Sequence, residues 1–448
     1  MSERAMRRAP RRAGAEGRWA LIRASGLCWL VAAACFDDTT PKDADDAASD
    51  APFTGRGLLV VAGDYQSTAL SRVDLDREQV VAPAFLHSGS ALSASGNALS
   101  GDVVAGRMAA GCACPPHAAL VVDRGRGVIT RLNGLTVAGQ LDVAGGFRSN
   151  PQDALGFGDE VWVARGERQP KGDAKIGALG GGDDVLVLGH DAVVRAKLAL
   201  SGLSTLPGGT AMAGSGAYDG SAWWLPLASI AADFQSVGPG RIVAVGRQAA
   251  GALPAGPLGP TSALHVAASL EVPTLRNCRA ARIATPNAPR LVVACSGPFS
   301  AAPSEQLGQS GLAVFALDGA GPFASAPKLL PASALGGRPV GFALDVEVAK
   351  PVAWFVSTGA IAAGGAVVAD RLYRVDLETG QASERHLAAG PFSLGGLHVD
   401  AVRGLIWAVD HGDLVGDLWI FPLADGDGQA RQLRTSDGGL RALELGSW

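Results

Sequence analysis

Seven short apolar runs strung along the chain constrain the fold more than any other feature. They are Leu58-Leu59-Val60-Val61, Leu120-Val121-Val122, Val161-Trp162-Val163, Trp223-Trp224-Leu225, Leu291-Val292-Val293, Ala353-Trp354-Phe355-Val356 and Leu405-Ile406-Trp407-Ala408. Each is too short for a helix, rich in β-branched or aromatic residues, and bounded by Gly, Pro, Asp or Asn. That pattern reads as a buried strand between turns. A second strand-like run follows each one. The clearest are Leu70–Leu75, Leu312–Leu317, Leu372–Leu377 and Leu418–Leu423, and weaker copies lie at Val128–Leu132, Val185–Leu188 and Arg241–Val245.

Repetition every ~58 residues implies a solenoid or a closed ring, and an antiparallel four-stranded unit selects the ring, a β-propeller. The last unit shows the full set: an inner strand over 393–400, a second over 404–409, a third over 417–423 and a fourth over 429–435. One run, 440–446, is left over, whereas the first unit begins directly with its second strand at Leu58. The expected fold is therefore all-β, a seven-bladed propeller of four-stranded antiparallel blades over 57–448. Its C-terminal strand completes the first blade, so that no sheet edge is left open in the ring. Residues 246–275 carry little pattern, which leaves six or eight blades as the competing counts. The Trp residues at 162, 224, 354 and 407 fall in second strands, where packing between blades accounts for them.

Two stretches carry a family resemblance. Val161-Trp162-Val163-Ala164 with Asp184–Leu188, and Leu372-Tyr373-Arg374-Val375-Asp376-Leu377-Glu378-Thr379-Gly380, resemble the YVTN-type propeller repeats of bacterial surface and periplasmic proteins. Asn150-Pro151-Gln152-Asp153 stands where those repeats lead into an inner strand through a Pro-containing turn. The resemblance implies a seven-bladed ring and an extracytoplasmic role, and it names no reaction.

The N-terminus agrees with export. Seven arginines between Arg4 and Arg23 lead into an apolar segment, Ile22 to Ala34, too short to span a bilayer, which ends at Cys35. Residues 1–34 resemble a bacterial lipoprotein signal, in which Cys35 becomes the lipid-bearing first residue. Ala32-Ala33-Ala34 also reads as an ordinary cleavage site, which would release a soluble protein. Residues 35–56 hold six Asp among Thr, Ala, Ser and Pro, too few apolar groups to offset ordering, and read as an extended acidic tether. Loss of 1–34 removes seven Arg and two Glu, leaving 31 basic and 40 acidic residues and a net charge near −9 instead of −4. An acidic body argues against nucleic acid as a partner. The expected state is a monomer held at the membrane by its lipid.

Of the six cysteines, Cys28 leaves with the signal and Cys35 takes the lipid. The segment around Thr285–Pro289 reads as a hairpin turn that places Cys278 opposite Cys295, predicting a cross-strand disulfide. Cys112 and Cys114 pair in an oxidising compartment; a metal site of Cys112, Cys114 and His117 is the alternative.

In such a ring, loops after second strands and loops leading into inner strands share one face around the central channel. That rule nominates Asp64, Asp123, Asn150, Asp153, Arg165, Asp410, His411 and Asp413 as ligand-binding residues. Carboxylates with an imidazole can hold a divalent cation that polarises a lactone or ester carbonyl, although Asp and Asn also end strands simply by capping turns. No G-x-S-x-G elbow or phosphate loop is present. The sequence favours a binding or scaffold module for a protein or glycan ligand at the cell envelope, with no cofactor. The alternative is a metal-dependent lactonase-like hydrolase at the channel mouth.

Overall fold

The computed structural model describes residues 55–90, 97–170, 177–247, 263–285, 288–317, 326–361, 365–412, 417–424, 430–435 and 441–447, all within the compact unit Pro52–Trp448. The proposed signal, Cys35, nearly all of the tether and Asp413 lie outside the described residues. Among the described residues no helix is long and apolar enough to cross a membrane.

Seven antiparallel blades form the ring, and every one of the seven apolar runs is a second strand. The first blade is closed by the chain's end: Arg441–Ser447 pairs with Gly57–Gly63, from Leu58 opposite Ser447 to Gly63 opposite Arg441. The described end of the weakly patterned stretch belongs to the fourth blade, whose outer strand is His265–Arg276, and the count is seven. Cys278 lies opposite Cys295 and the two are bonded, as are Cys112 and Cys114.

Each blade is covered by a neighbour on both faces, so its second strand needs apolar residues at consecutive positions instead of at alternate ones. Gly57–Gly63 and Trp223–Leu227 are accordingly buried at every position, whereas the outer strand Val194–Ala199 alternates between part-buried and exposed. The tryptophans join adjacent blades. Trp162 packs with Leu225 and Val243 of blade four, Trp224 with Leu291 and Val293 of blade five, Trp354 with Ile406 and Phe421 of blade seven. Trp407 packs with Leu58 and Val60 of blade one, so the contact crosses the closure. Burying each indole stabilises the ring by roughly 5 kcal/mol before entropy costs.

Buried polar residues at the start of third strands tie three of the blades to the next. Asp183 accepts backbone N–H bonds from Ala211 and Met212, Asp370 accepts them from Phe392, Ser393 and Leu394, and the Ser310 hydroxyl accepts one from Val340. In each case the donor belongs to the segment leading into the following blade's inner strand. These ties fix the loops that surround the channel.

Candidate ligand-binding site at the channel mouth

The inner strands and their loops enclose a cavity of about 1140 Å³ to which all seven blades contribute. Its wall carries charge. Arg124, Arg279 and Arg282 line it together with Asp102, Asp153 and Glu444. Its rim is aromatic: Tyr65, Phe299, Phe342 and Phe392 stand around the opening.

Most of the charges are matched. Arg124 is paired with Asp102 at 2.5 Å, and Arg107 behind the wall is paired with Asp153 and donates to the Ser215 hydroxyl at 3.0 Å. Arg282 is 3.8 Å from Asp345 and donates to Ser215 Oγ at 3.2 Å. Arg279 differs. Its guanidinium donates one long bond, 3.4 Å, to Gln152 Oε1 and lies over the Phe342 ring, and it has no carboxylate partner among the described residues. Burial, with Arg124 adding repulsion, lowers its pKa to about 10. Burial also lowers Arg282 to about 10, with Arg107 contributing. Glu444 makes no hydrogen bond or ion pair among the described residues, and burial raises its pKa against the pull of Arg282, Arg124 and Arg107.

Arg279 and Arg282 belong to the inner strand Cys278–Ala284 and are an odd number of residues apart, so strict alternation would send them to opposite faces. The register shifts between Cys278 and Ala280, which makes Arg279 the extra residue of a bulge. Bulges re-aim side chains, and both arginines consequently line the same cavity. This pair was not nominated from the sequence. Two arginines inside an otherwise apolar seven-residue strand were the available signal.

The nominated residues divide into two groups. Asp64, Asp153 and His411 line the cavity. Asp64 accepts backbone N–H bonds from Gln66 (2.9 Å) and Ser67 (2.6 Å), which hold its pKa below the ordinary carboxylate range. Asp153 is held by Arg107 and the Gly216 N–H, and His411 Nδ1 is 3.1 Å from the Ala442 carbonyl. The other described ones stand elsewhere. Asp123 is buried and accepts from Ser100 and Arg126 N–H; Asn150 bridges Glu167 and Gln152. Arg165 is fully buried on Asp184, at 2.7 and 2.6 Å, and on the carbonyls of Val143 and Leu179. Asp410 faces His386 at 3.0 Å in a separate pocket of about 310 Å³.

Among the described residues the donor set does not fit a divalent cation. Among the described residues no three His, Cys, Asp or Glu side chains group as a metal site, and Asp64, Asp123, Asp153 and Asp410 are each already engaged by N–H groups, hydroxyls or charged partners. The Cys112–Cys114 bond likewise leaves no thiolate for a site with His117.

Two crystal structures share the architecture. A candidate 6-phosphogluconolactonase from Bacteroides fragilis aligns with a TM-score of 0.53 at 9% identity, covering 89% of this chain and 99% of its own. A second, from Bacteroides uniformis, aligns with a TM-score of 0.50 at 11% identity, covering 88% and 99%. What they share with this chain is the β-propeller fold. No protein-family model and no curated protein sequence matches the chain.

Proposed function

We propose that this protein is an exported propeller of the YVTN-like kind, tethered to the bacterial envelope through a lipid on Cys35, whose channel mouth binds an organic anion without covalent chemistry. Arg279 carries this reading. A part-buried guanidinium on the wall of a cavity, with no carboxylate partner among the described residues, is left without the pairing that offsets its lost hydration, and a ligand carboxylate or phosphate would supply the missing partner. Arg is suited to the task because its planar donors meet such a group in a bidentate fork. Arg282 adds attraction from the same wall, and the matched pairs Arg124–Asp102 and Arg107–Asp153 keep the remaining charges from competing.

The test is thermal stabilisation of the full protein by benzoate, gluconate and phosphate, compared between wild type and Arg279→Gln. At least one anion should raise the melting temperature of the wild type and not that of the variant. Equal responses would remove Arg279 from the account. For the tether, Cys35→Ser should move the protein from the membrane fraction to the soluble one, and unchanged membrane association would refute lipidation at that residue.

A second reading, hydrolysis of a lactone, draws on Glu444. A carboxyl that keeps its proton above the ordinary range can deliver it to the ring oxygen as water adds to the carbonyl carbon and the C–O bond opens, and the carboxylate so formed takes back the proton that the added water sheds. Acid release from δ-gluconolactone, lost in Glu444→Gln, would turn the binding module into an enzyme. No step of either reading passes through a metal.

A further inference from the structure

We infer that the anion bound at the mouth is amphipathic: an aryl or arylalkyl carboxylate whose ring sits among the rim aromatics while its carboxylate reaches Arg279. This inference rests on the anion-site reading above and deepens it.

The rim supplies the reason. Tyr65 is 77% exposed, Phe299 61%, Phe392 60% and Phe342 36%, and all four line one opening. Single exposed apolar residues need no explanation, but a contiguous group around a concave site does. Two of the rings touch, Phe299 meeting Phe342 edge to face at 5.8 Å. Between them they offer one hydroxyl, on Tyr65. The hydroxyls of a polyol placed against these rings would lose water and meet only that one hydroxyl among them, a loss the polar groups deeper in the wall do not make good at the rim. An apolar ring loses little and gains contact with aromatic faces and edges.

The backbone holds the rim open. Tyr65 and Phe392 adopt left-handed φ of 66° and 56°, a conformation that bulky residues avoid. Such outliers persist only where surrounding bonds impose them, and here the bonds are evident. Asp64 caps the turn after Tyr65, and Asp370, itself 1% exposed, accepts the N–H groups of Phe392, Ser393 and Leu394. Gly101 packs so closely on the Tyr65 carbonyl that a side chain there would overlap it. Below the rim, Phe342 backs the Arg279 guanidinium at 5.5 Å, so the apolar and cationic parts meet at one point. A cavity of about 1140 Å³ holds a ligand of this size with room for a substituted ring.

The experiment is isothermal calorimetry of the full protein with 3-phenylpropionate and with gluconate, which carry the same charge. The expected result is at least tenfold tighter binding of 3-phenylpropionate. Phe299→Ser, and independently Tyr65→Ser, should remove that advantage by weakening 3-phenylpropionate at least tenfold; melting curves confirm that each variant folds. Arg279→Gln should weaken both anions. Gluconate binding as tight as 3-phenylpropionate, or a preference unchanged in both rim variants, overturns the amphipathic ligand and leaves the anion site standing. Failure of both anions, with no response to Arg279→Gln, overturns the anion site as well.

Discussion

The Arg279 guanidinium lies 5.5 Å from the centre of the Phe342 ring, joining the bulged inner strand of blade five to the inner strand of blade six at the cavity wall. The ring's negative face contributes part of what a carboxylate would otherwise supply. It cannot neutralise the charge, which is why this contact marks a place for a ligand and not a completed pair.

Gly101→Ala tests how the rim is held. The added Cβ would overlap backbone atoms of Tyr65 and Gln66, so the turn must shift, at a cost of about 1–3 kcal/mol. The expected outcome is a lower melting temperature together with weaker 3-phenylpropionate binding. Unchanged binding would show that the position of Tyr65 is irrelevant to the site.

Deleting 441–448 tests the closure. The first blade would lose its inner strand, and Ala442 and Leu445 would leave the cluster that holds Leu58, Val60 and Trp407. The melting temperature should fall by ~10 °C or more. A truncated chain that melts like the full one would contradict the observed pairing.

Much of this architecture is legible in the sequence, for a physical reason. Second strands are covered on both faces, so Leu58–Val61 or Trp354–Val356 appear as continuous apolar runs, and the spare strand at the C-terminus matches the one missing at the start. The cysteine register is legible because a hairpin is nearly symmetric about its turn. Arg107–Met108 is not legible: this two-residue strand leaves blade two and pairs in parallel with Leu155 and Gly156 of blade three, and two residues have no period. The site is half-legible. Strand ends point to Asp64, Asp153 and His411, but a bulge hides the direction of Arg279, and the rim aromatics Tyr65, Phe299 and Phe392 sit at loop positions that no alternation governs.

Replacing Cys278 and Cys295 together by Ala frees a crosslink that spans 17 residues. The expected loss is roughly 3 kcal/mol, read as a lower denaturation midpoint. Non-reducing mass mapping should recover the Cys278–Cys295 peptide pair, and free thiols at both positions would contradict the register.

Asp184→Asn separates structure from ligand binding. It strands the Arg165 guanidinium, which is fully buried and has Asp184 as its carboxylate partner. Breaking one side of a buried pair costs about 3–5 kcal/mol, while the protein that remains folded should bind anions as the wild type does. Weakened binding at full folding would assign Arg165 to the site.

Glu444 predicts a pH dependence. Its pKa in the folded protein is raised above the ordinary 4.5, mainly by burial. On raising the pH, the unfolded chain therefore loses this proton first. Stability from this group is fully present below about pH 4.5 and declines as pH climbs through the folded pKa. Glu444→Gln removes that decline, so the melting temperature of the variant minus that of the wild type should rise with pH across this window. A flat difference would mean that Glu444 titrates normally.

The most direct measurement is a crystal structure of the full protein with 3-(4-bromophenyl)propionate. The account predicts an anomalous bromine peak among Tyr65, Phe299 and Phe392, with the carboxylate on the Arg279 guanidinium. Bromine bound away from the channel mouth, or a mouth without density at saturating ligand, would contradict it.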